Sequence, residues 1–139
     1  MKKRILLVSP NSFERESLAE ILRDSYEVVL AESGRKAAEK FVATPVSAIV
    51  LQHETPFDGA DAFTGNSRTI AELTDIDPFL PLLLLCDPEE ELEHPTSLMA
   101  DTVLRHPIRA SALRDALDIL LRETLKERVF RKSGHVAFL

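Results

Sequence analysis

The chain has 139 residues, 45% of them hydrophobic, and a formal net charge of −6. That length and apolar share suit one globular domain with a sizeable core. The negative balance, with no basic block except Arg128, Arg131 and Lys132, argues against a general nucleic-acid or anionic-membrane surface, since counterion release needs clustered Lys and Arg.

Trp is absent and aromatics are scarce, so the core must be aliphatic. The single cysteine, Cys86, excludes an internal disulfide and fits a reducing cytoplasm. The basic N-terminus begins like a signal peptide, but the apolar run 5–8 is shorter than a signal h-region. The run 79–86 is too short to span a bilayer. The composition therefore predicts a soluble, cytoplasmic, single-domain protein with no membrane partner.

Residues 5–8 predict a buried first strand, stopped at Ser9-Pro10 because Pro10 cannot donate to a ladder. Asn11 or Ser12 is suited to cap the next helix, with Glu14 and Glu16 favourable in its first turn. Phe13, Leu18, Ile21 and Leu22 recur at helical spacing, with charge between them, and predict a helix running to about Asp24. Residues 26–31 predict a second strand. Ser33 suits the cap of a second helix from Arg35 to about Val42, with Ala37, Ala38, Phe41 and Val42 inward.

Residues 48–51 form an apolar run without a polar break, the pattern of a strand buried on both faces. It ends at Gln52, and the sequence turns at once to His53-Glu54-Thr55-Pro56-Phe57-Asp58-Gly59. In open parallel sheets, sites lie beyond the carboxyl ends of the central strands, which makes Gln52 the first candidate.

Gly65 and Asn66 interrupt the next segment, so a helix is predicted from about Ser67 to Leu73. Residues 82–86 predict a fourth, fully buried strand. Asp87-Pro88 opens a further helix, favoured by Glu89, Glu90, Glu91 and Glu93 and broken at Pro95. Residues 102–104 predict a short fifth strand. One long helix is predicted from Ser111 to about Lys132, with Leu113, Ala116, Leu117, Leu120, Leu121 and Leu125 on one stripe and Gly134 as its stop. The domain would occupy residues 1–132, and residues 133–139 an apolar tail.

The repeated strand–helix pattern predicts an α/β fold: one doubly wound, five-stranded parallel sheet with helices on both faces, flavodoxin-like. Right-handed crossovers bring the strand ends to one edge. Ser9, Pro10, Gln52, Cys86 and His106 then gather there.

Thr55-Pro56-Phe57-Asp58-Gly59 after the third strand, and Leu104-Arg105-His106-Pro107-Ile108 around the fifth, resemble the receiver domain of bacterial response regulators. The resemblance covers residues 2–123. It implies a cis peptide bond before Pro107. It also implies which positions carry the family's chemistry. The two acidic residues that hold Mg²⁺ are Ser9 and Pro10, and the phosphoryl-accepting aspartate is Gln52. The Thr or Ser ending the fourth strand is Cys86, the lysine after the fifth is His106, and the aromatic switch residue is Val103. Every one of these positions is substituted.

Chemistry agrees with that departure. An amide oxygen is a poor nucleophile, phosphoryl transfer needs a metal, and Mg²⁺ wants carboxylates. The expectation is a degenerate pseudo-receiver with no catalytic residue, metal or cofactor. It would act in a two-component or phosphorelay-type system as a phosphorylation-independent protein–protein interaction module.

Its expected partners are signalling proteins, or a second copy of the chain. The expected surface is the family's face of fourth helix, fifth strand and fifth helix, or the C-terminal helix with Leu121, Leu125, Val129, Phe130 and Phe138. The tail with Val136, Phe138 and Leu139 either folds back or meets another chain. An alternative makes Cys86 and His106 a thiolate–imidazole pair in a redox or small-ligand sensor, or half a zinc site. His53, the obvious third ligand, alternates away from Gln52. The plainer reading is a core thiol and a partly exposed imidazole. Glu54 and Asp87 read as loop and cap residues, and Glu89 to Glu93 as a solvated face or an acidic docking surface.

Overall fold

The computed structural model describes residues 2–58, 65–89 and 100–134. Its strands are β1 (Arg4–Val8), β2 (Glu27–Ala31), β3 (Ala48–Gln52), β4 (Leu82–Cys86) and β5 (Thr102–Arg105). Its helices are α1 (Ser12–Arg23), α2 (Gly34–Ala43), α3 (Gly65–Ile76), α4 (Ala110–Arg122) and α5 (Leu125–Gly134). The strands form one five-stranded sheet in the order β2-β1-β3-β4-β5, parallel throughout. This is the doubly wound α/β sheet that the periodicity predicts. Its strand order switches direction around β1 and β3, where such folds place their sites.

Strand alternation divides the core into two layers. Ile5, Leu7, Ala48, Val50, Leu83 and Leu85 face α1 and α4, meeting Leu18, Leu22, Leu113 and Leu117. Leu6, Val8, Ile49, Leu51, Leu82 and Leu84 face α2 and α3, meeting Ala37, Phe41, Ile70 and Leu73. The two caps read from sequence are both made. Asn11 Oδ1 accepts from Glu14 N at 2.9 Å, and Ser33 Oγ accepts from Lys36 N at 3.2 Å.

Val42, predicted inward, is outside, and so is Phe13 of the apolar pattern on α1. Phe13 is 81% exposed and Val42 is 72% exposed. An α-helix turns about 100° per residue, so Phe13 lies roughly half a turn around the axis from Leu22. Val42 is about 100° from Phe41, beyond the stripe that covers the sheet. Helix α3 begins earlier and ends later than predicted. Gly65 and Asn66 sit in its first turn, whose amides lack intrahelical partners in any case, so their poor propensity counts for little there. Pro88 and Glu89 form a turn. The helix predicted on Glu90, Glu91 and Glu93 lies outside the described residues, as does the tail with Phe138. No described helix is long and apolar enough to cross a membrane.

The single long C-terminal helix is a misreading: there are two. Glu123 is extended (φ −65°, ψ 134°) and ends α4. Thr124 Oγ1 then accepts from Glu127 N at 3.1 Å and starts α5. Thr124-Leu125-Lys126-Glu127 is a Thr-x-x-Glu capping pattern that competes with the leucine stripe and prevails. Leu125 therefore leaves the stripe and is 60% exposed. Replacing Thr124 with Ala should cost α5 about 1 kcal/mol. The check is faster amide exchange confined to α5, and unchanged exchange there would refute the capping role.

Candidate functional site

The strand register aligns the carboxyl ends. Val8 pairs with Leu51, Gln52 with Leu85, and Cys86 with Arg105. Ser9, Gln52, Cys86 and His106 thus reach one edge, and alternation then separates them by face. Gln52 shares its parity with Ala48 and Val50, on the α1–α4 side. His106 shares that of Leu104, which packs on the same side, and Ser9 that of Leu7. Cys86 shares that of Leu82 and Leu84, on the α2–α3 side.

The Cys86–His106 pair of the alternative reading is therefore split across the sheet, and the plainer reading of a core thiol stands. Their link is a backbone bond, His106 N to Cys86 O at 2.8 Å, and Cys86 itself is fully buried. Val103 is half-buried against the α2–α3 layer.

What does come together is Gln52 and His106. Gln52 Oε1 lies 3.0 Å from His106 Nε2. An amide oxygen only accepts, so Nε2 carries the proton in this contact. Glu14 Oε1 lies 3.3 Å from the same nitrogen. It makes no hydrogen bond there, because the single Nε2–H is committed to Gln52. The Glu14 contact is one of charge and proximity, and both side chains are partly exposed, at 25% for His106 and 35% for Glu14. Screening at such exposure keeps its contribution small.

Glu14 was legible only as a first-turn residue. Asn11 caps α1 and fixes its first turn, which is what delivers Glu14 to the sheet edge. The cluster opens on a cavity of ≈ 380 Å³, lined also by Leu18, Ile21, Asp87, Pro107 and Ile108. The His106–Pro107 peptide is cis. Arg15 Nη1 donates to Ser9 O at 2.7 Å, Ser9 is fully buried, and Pro10 is exposed.

The loop beyond Gln52 is fastened to α2. It turns at Glu54, whose φ of 65° is left-handed. For a residue with a Cβ this costs on the order of 1 kcal/mol. Thr55, fully buried, closes the turn by donating Oγ1 to Gln52 O at 2.6 Å. Gly34 N donates to Pro56 O at 2.8 Å, and Arg35 N to Phe57 O at 2.7 Å. These are first-turn amides of α2 that have no intrahelical acceptor, so the loop satisfies them. Arg35 also binds Asp58 at 2.7 Å, and that hydrogen bond raises the Arg35 pKa further above its ordinary value. The Phe57 ring lies under both Arg35, at 5.1 Å, and Arg68, at 4.0 Å. The role of Phe57 and Asp58 in this clamp was not visible in the sequence, since nothing there pairs them with residues 34 and 35.

The receiver resemblance implies Mg²⁺ at this edge, and the donor set does not fit it. A hard divalent cation asks for several oxygen ligands with carboxylates among them. Pro10 has no side-chain donor atom. The Ser9 hydroxyl is buried, and Gln52 Oε1 is engaged by an imidazole. Glu14 faces that same imidazole. Among the described residues no three His, Cys, Asp or Glu side chains converge in a way that could hold a metal ion.

No protein-family model matches the sequence, and no curated protein matches it. Solved structures do match the fold. A CheY-like receiver domain protein from Methanospirillum hungatei JF-1 superposes with a TM-score of 0.75 at 18% identity, covering 91% of this chain and 99% of that one. The receiver domain of a sensor histidine kinase from Pseudomonas aeruginosa PAO1, solved with magnesium in its active-site cleft, gives 0.75 at 18% identity and covers 88% and 100%. The N-terminal domain of a response regulator/sensory box/GGDEF protein from Carboxydothermus hydrogenoformans gives 0.74 at 24% identity, covering 86% and 94%. With this strand order, this clustered edge and these neighbours, the chain has the fold of the response-regulator receiver domains.

Proposed function

We propose that the chain is a degenerate receiver domain, working in bacterial two-component signalling as a phosphorylation-independent protein-interaction module of the cytoplasm. The observation that carries this reading is the Gln52–His106 contact at 3.0 Å. By the resemblance, those two positions belong to the phosphoryl acceptor and to the lysine that stabilises its charge. Here they close on each other as an amide and an imidazole. An amide oxygen does not attack phosphorus usefully, and no carboxylate set recruits the metal that phosphoryl transfer requires.

The test is intact mass after incubation with acetyl phosphate and Mg²⁺, on the native chain and on Gln52→Asp. Both are expected to stay at their unmodified mass, because a single restored carboxylate still lacks the metal ligands. A phosphoryl adduct on either would overturn the reading.

The surface we assign to partners is the C-terminal helix. On α5, Leu125 and Phe130 are each 60% exposed, and Val129 and the neighbouring Leu121 are half-buried. Burying such side chains stabilises a contact by about 1.5–3 kcal/mol each. A second copy of the chain is the expected partner. Sedimentation velocity at high micromolar concentration should show self-association, weakened in the double variant Leu125→Asp with Phe130→Asp. A native chain that sediments as a monomer rules this partner out.

A further inference from the structure

At the opposite edge, below the amino-terminal ends of the strands, lies a second cavity of ≈ 260 Å³. It is lined by Lys3, Ser47, Asp77 and Arg128, with Leu80 and Pro81 as apolar members of its wall. Arg128 comes from α5, the helix separated from α4 by the Thr124 cap. Lys3 precedes β1, Ser47 precedes β3, and Asp77 follows α3.

The two cations are held by backbone. Lys3 Nζ donates to Leu121 O at 3.0 Å, and Arg128 Nη1 donates to Glu123 O at 3.1 Å. Arg128 Nε is shut off from solvent and meets no acceptor. A buried donor on a charged group is costly to leave unmet. Asp77 does not meet it, and its Oδ1 is already used by Phe79 N at 3.0 Å. Lys3 and Arg128 against Asp77 leave the lining one charge positive.

We propose that this cavity binds a small oxyanion, a phosphate or carboxylate group, between Lys3, Ser47 and Arg128, and that the bound anion ties α5 to the sheet. The guanidinium is a planar fork that matches two oxygens of one such group. Lys3 and the Ser47 hydroxyl supply further donors. At about 30 Å³ per water, the volume takes a group of several heavy atoms. Asp77 opposes the anion and sets its affinity low.

The experiment is a titration of the full chain, followed by backbone amide shifts. Sodium phosphate and sodium acetate are the probes, with sodium chloride at matched ionic strength as the control. The expected result is saturable shifts at Ser47, Asp77 and Arg128, with a Kd on the order of 1 mM and none from chloride. Phosphate binding tighter than acetate identifies a phosphoryl ligand, and the reverse a carboxylate. Arg128→Gln should weaken binding by about tenfold or more, and Arg128→Lys, which keeps the charge and loses the fork, should also weaken it. Asp77→Asn, which keeps Oδ1 and removes the charge, should tighten it. Unchanged strand amides in each variant show that the fold is intact. The proposal fails if neither anion gives saturable shifts, if Arg128→Gln responds like the native chain, or if Asp77→Asn leaves the affinity unchanged.

Discussion

Gly34→Ala should lower stability by about 2–3 kcal/mol, a large loss for exchanging one hydrogen for a methyl group. Alanine is a better helix former than glycine, so propensity alone predicts the opposite sign. The conflict is steric. A Cβ at Gly34 would stand 1.9 Å from Thr69 Oγ1, 2.9 Å from Phe57 Cδ1 and 3.0 Å from Phe57 Cα. The Thr69 hydroxyl can rotate away. Phe57 Cα cannot, because it is backbone held by the bonds from Gly34 N and Arg35 N to the loop carbonyls. Either the loop retreats and those two bonds lengthen, or the contact stays strained. Urea unfolding with the midpoint compared at equal m-value is the check. Adding Thr69→Ala should recover part of the loss, since the two sites touch and will not add. A change below about 0.5 kcal/mol, the range of an ordinary surface substitution, would show that the clamp is looser than these distances imply.

Leu84→Ala should cost about 2–5 kcal/mol, and Phe13→Ala almost nothing. Both residues are large and apolar, and both belong to patterns that predict burial. Leu84 lies in β4 between β3 and β5, is fully buried, and faces Ile70 and Leu73 of α3 through the layer they share. Removing its isobutyl group leaves a void in a sheet covered on both sides. Phe13 is 81% exposed on the outer side of α1, so its truncation removes little buried area. Parallel denaturation of the two variants decides the matter. Equal losses would mean that α1 turns Phe13 toward the sheet.

Much of the fold was legible because its signals are local. The unbroken apolar runs at 5–8, 48–51 and 82–86 read as strands covered on both faces, and they are. Asn11 and Ser33 announced helix starts through side chains that reach only three residues onward. Thr124 carried the same kind of signal. The leucine stripe masks it, because Leu120 and Leu121 continue in register to Leu125, and periodicity cannot tell one helix from two. The exposure of Phe13 and Val42 was hidden for a related reason. Helical spacing admits a residue to a stripe before it is known how wide a stripe the sheet will cover.

The candidate site was legible as a set of residues and not as an arrangement. Chain order and right-handed crossovers brought Ser9, Gln52, Cys86 and His106 to one edge, which periodicity alone could support. Which of them touch was decided by register and parity across three strands. A shift of one residue turns a side chain to the other face, and nothing near Cys86 or His106 in the sequence records their relative phase. Tertiary structure set Gln52 against His106, brought Glu14 in from α1, and sent Cys86 to the far layer. The same holds for the loop. Phe57 and Asp58 meet residues 34 and 35 across a long stretch of chain, because the N-terminus of α2 has amides to satisfy and the loop after β3 has carbonyls within reach. Sequence determines what each segment is able to form, since propensity and capping act over a few residues. Only the packed sheet determines which of those segments satisfy one another, because burial and hydrogen-bond pairing are properties of the whole.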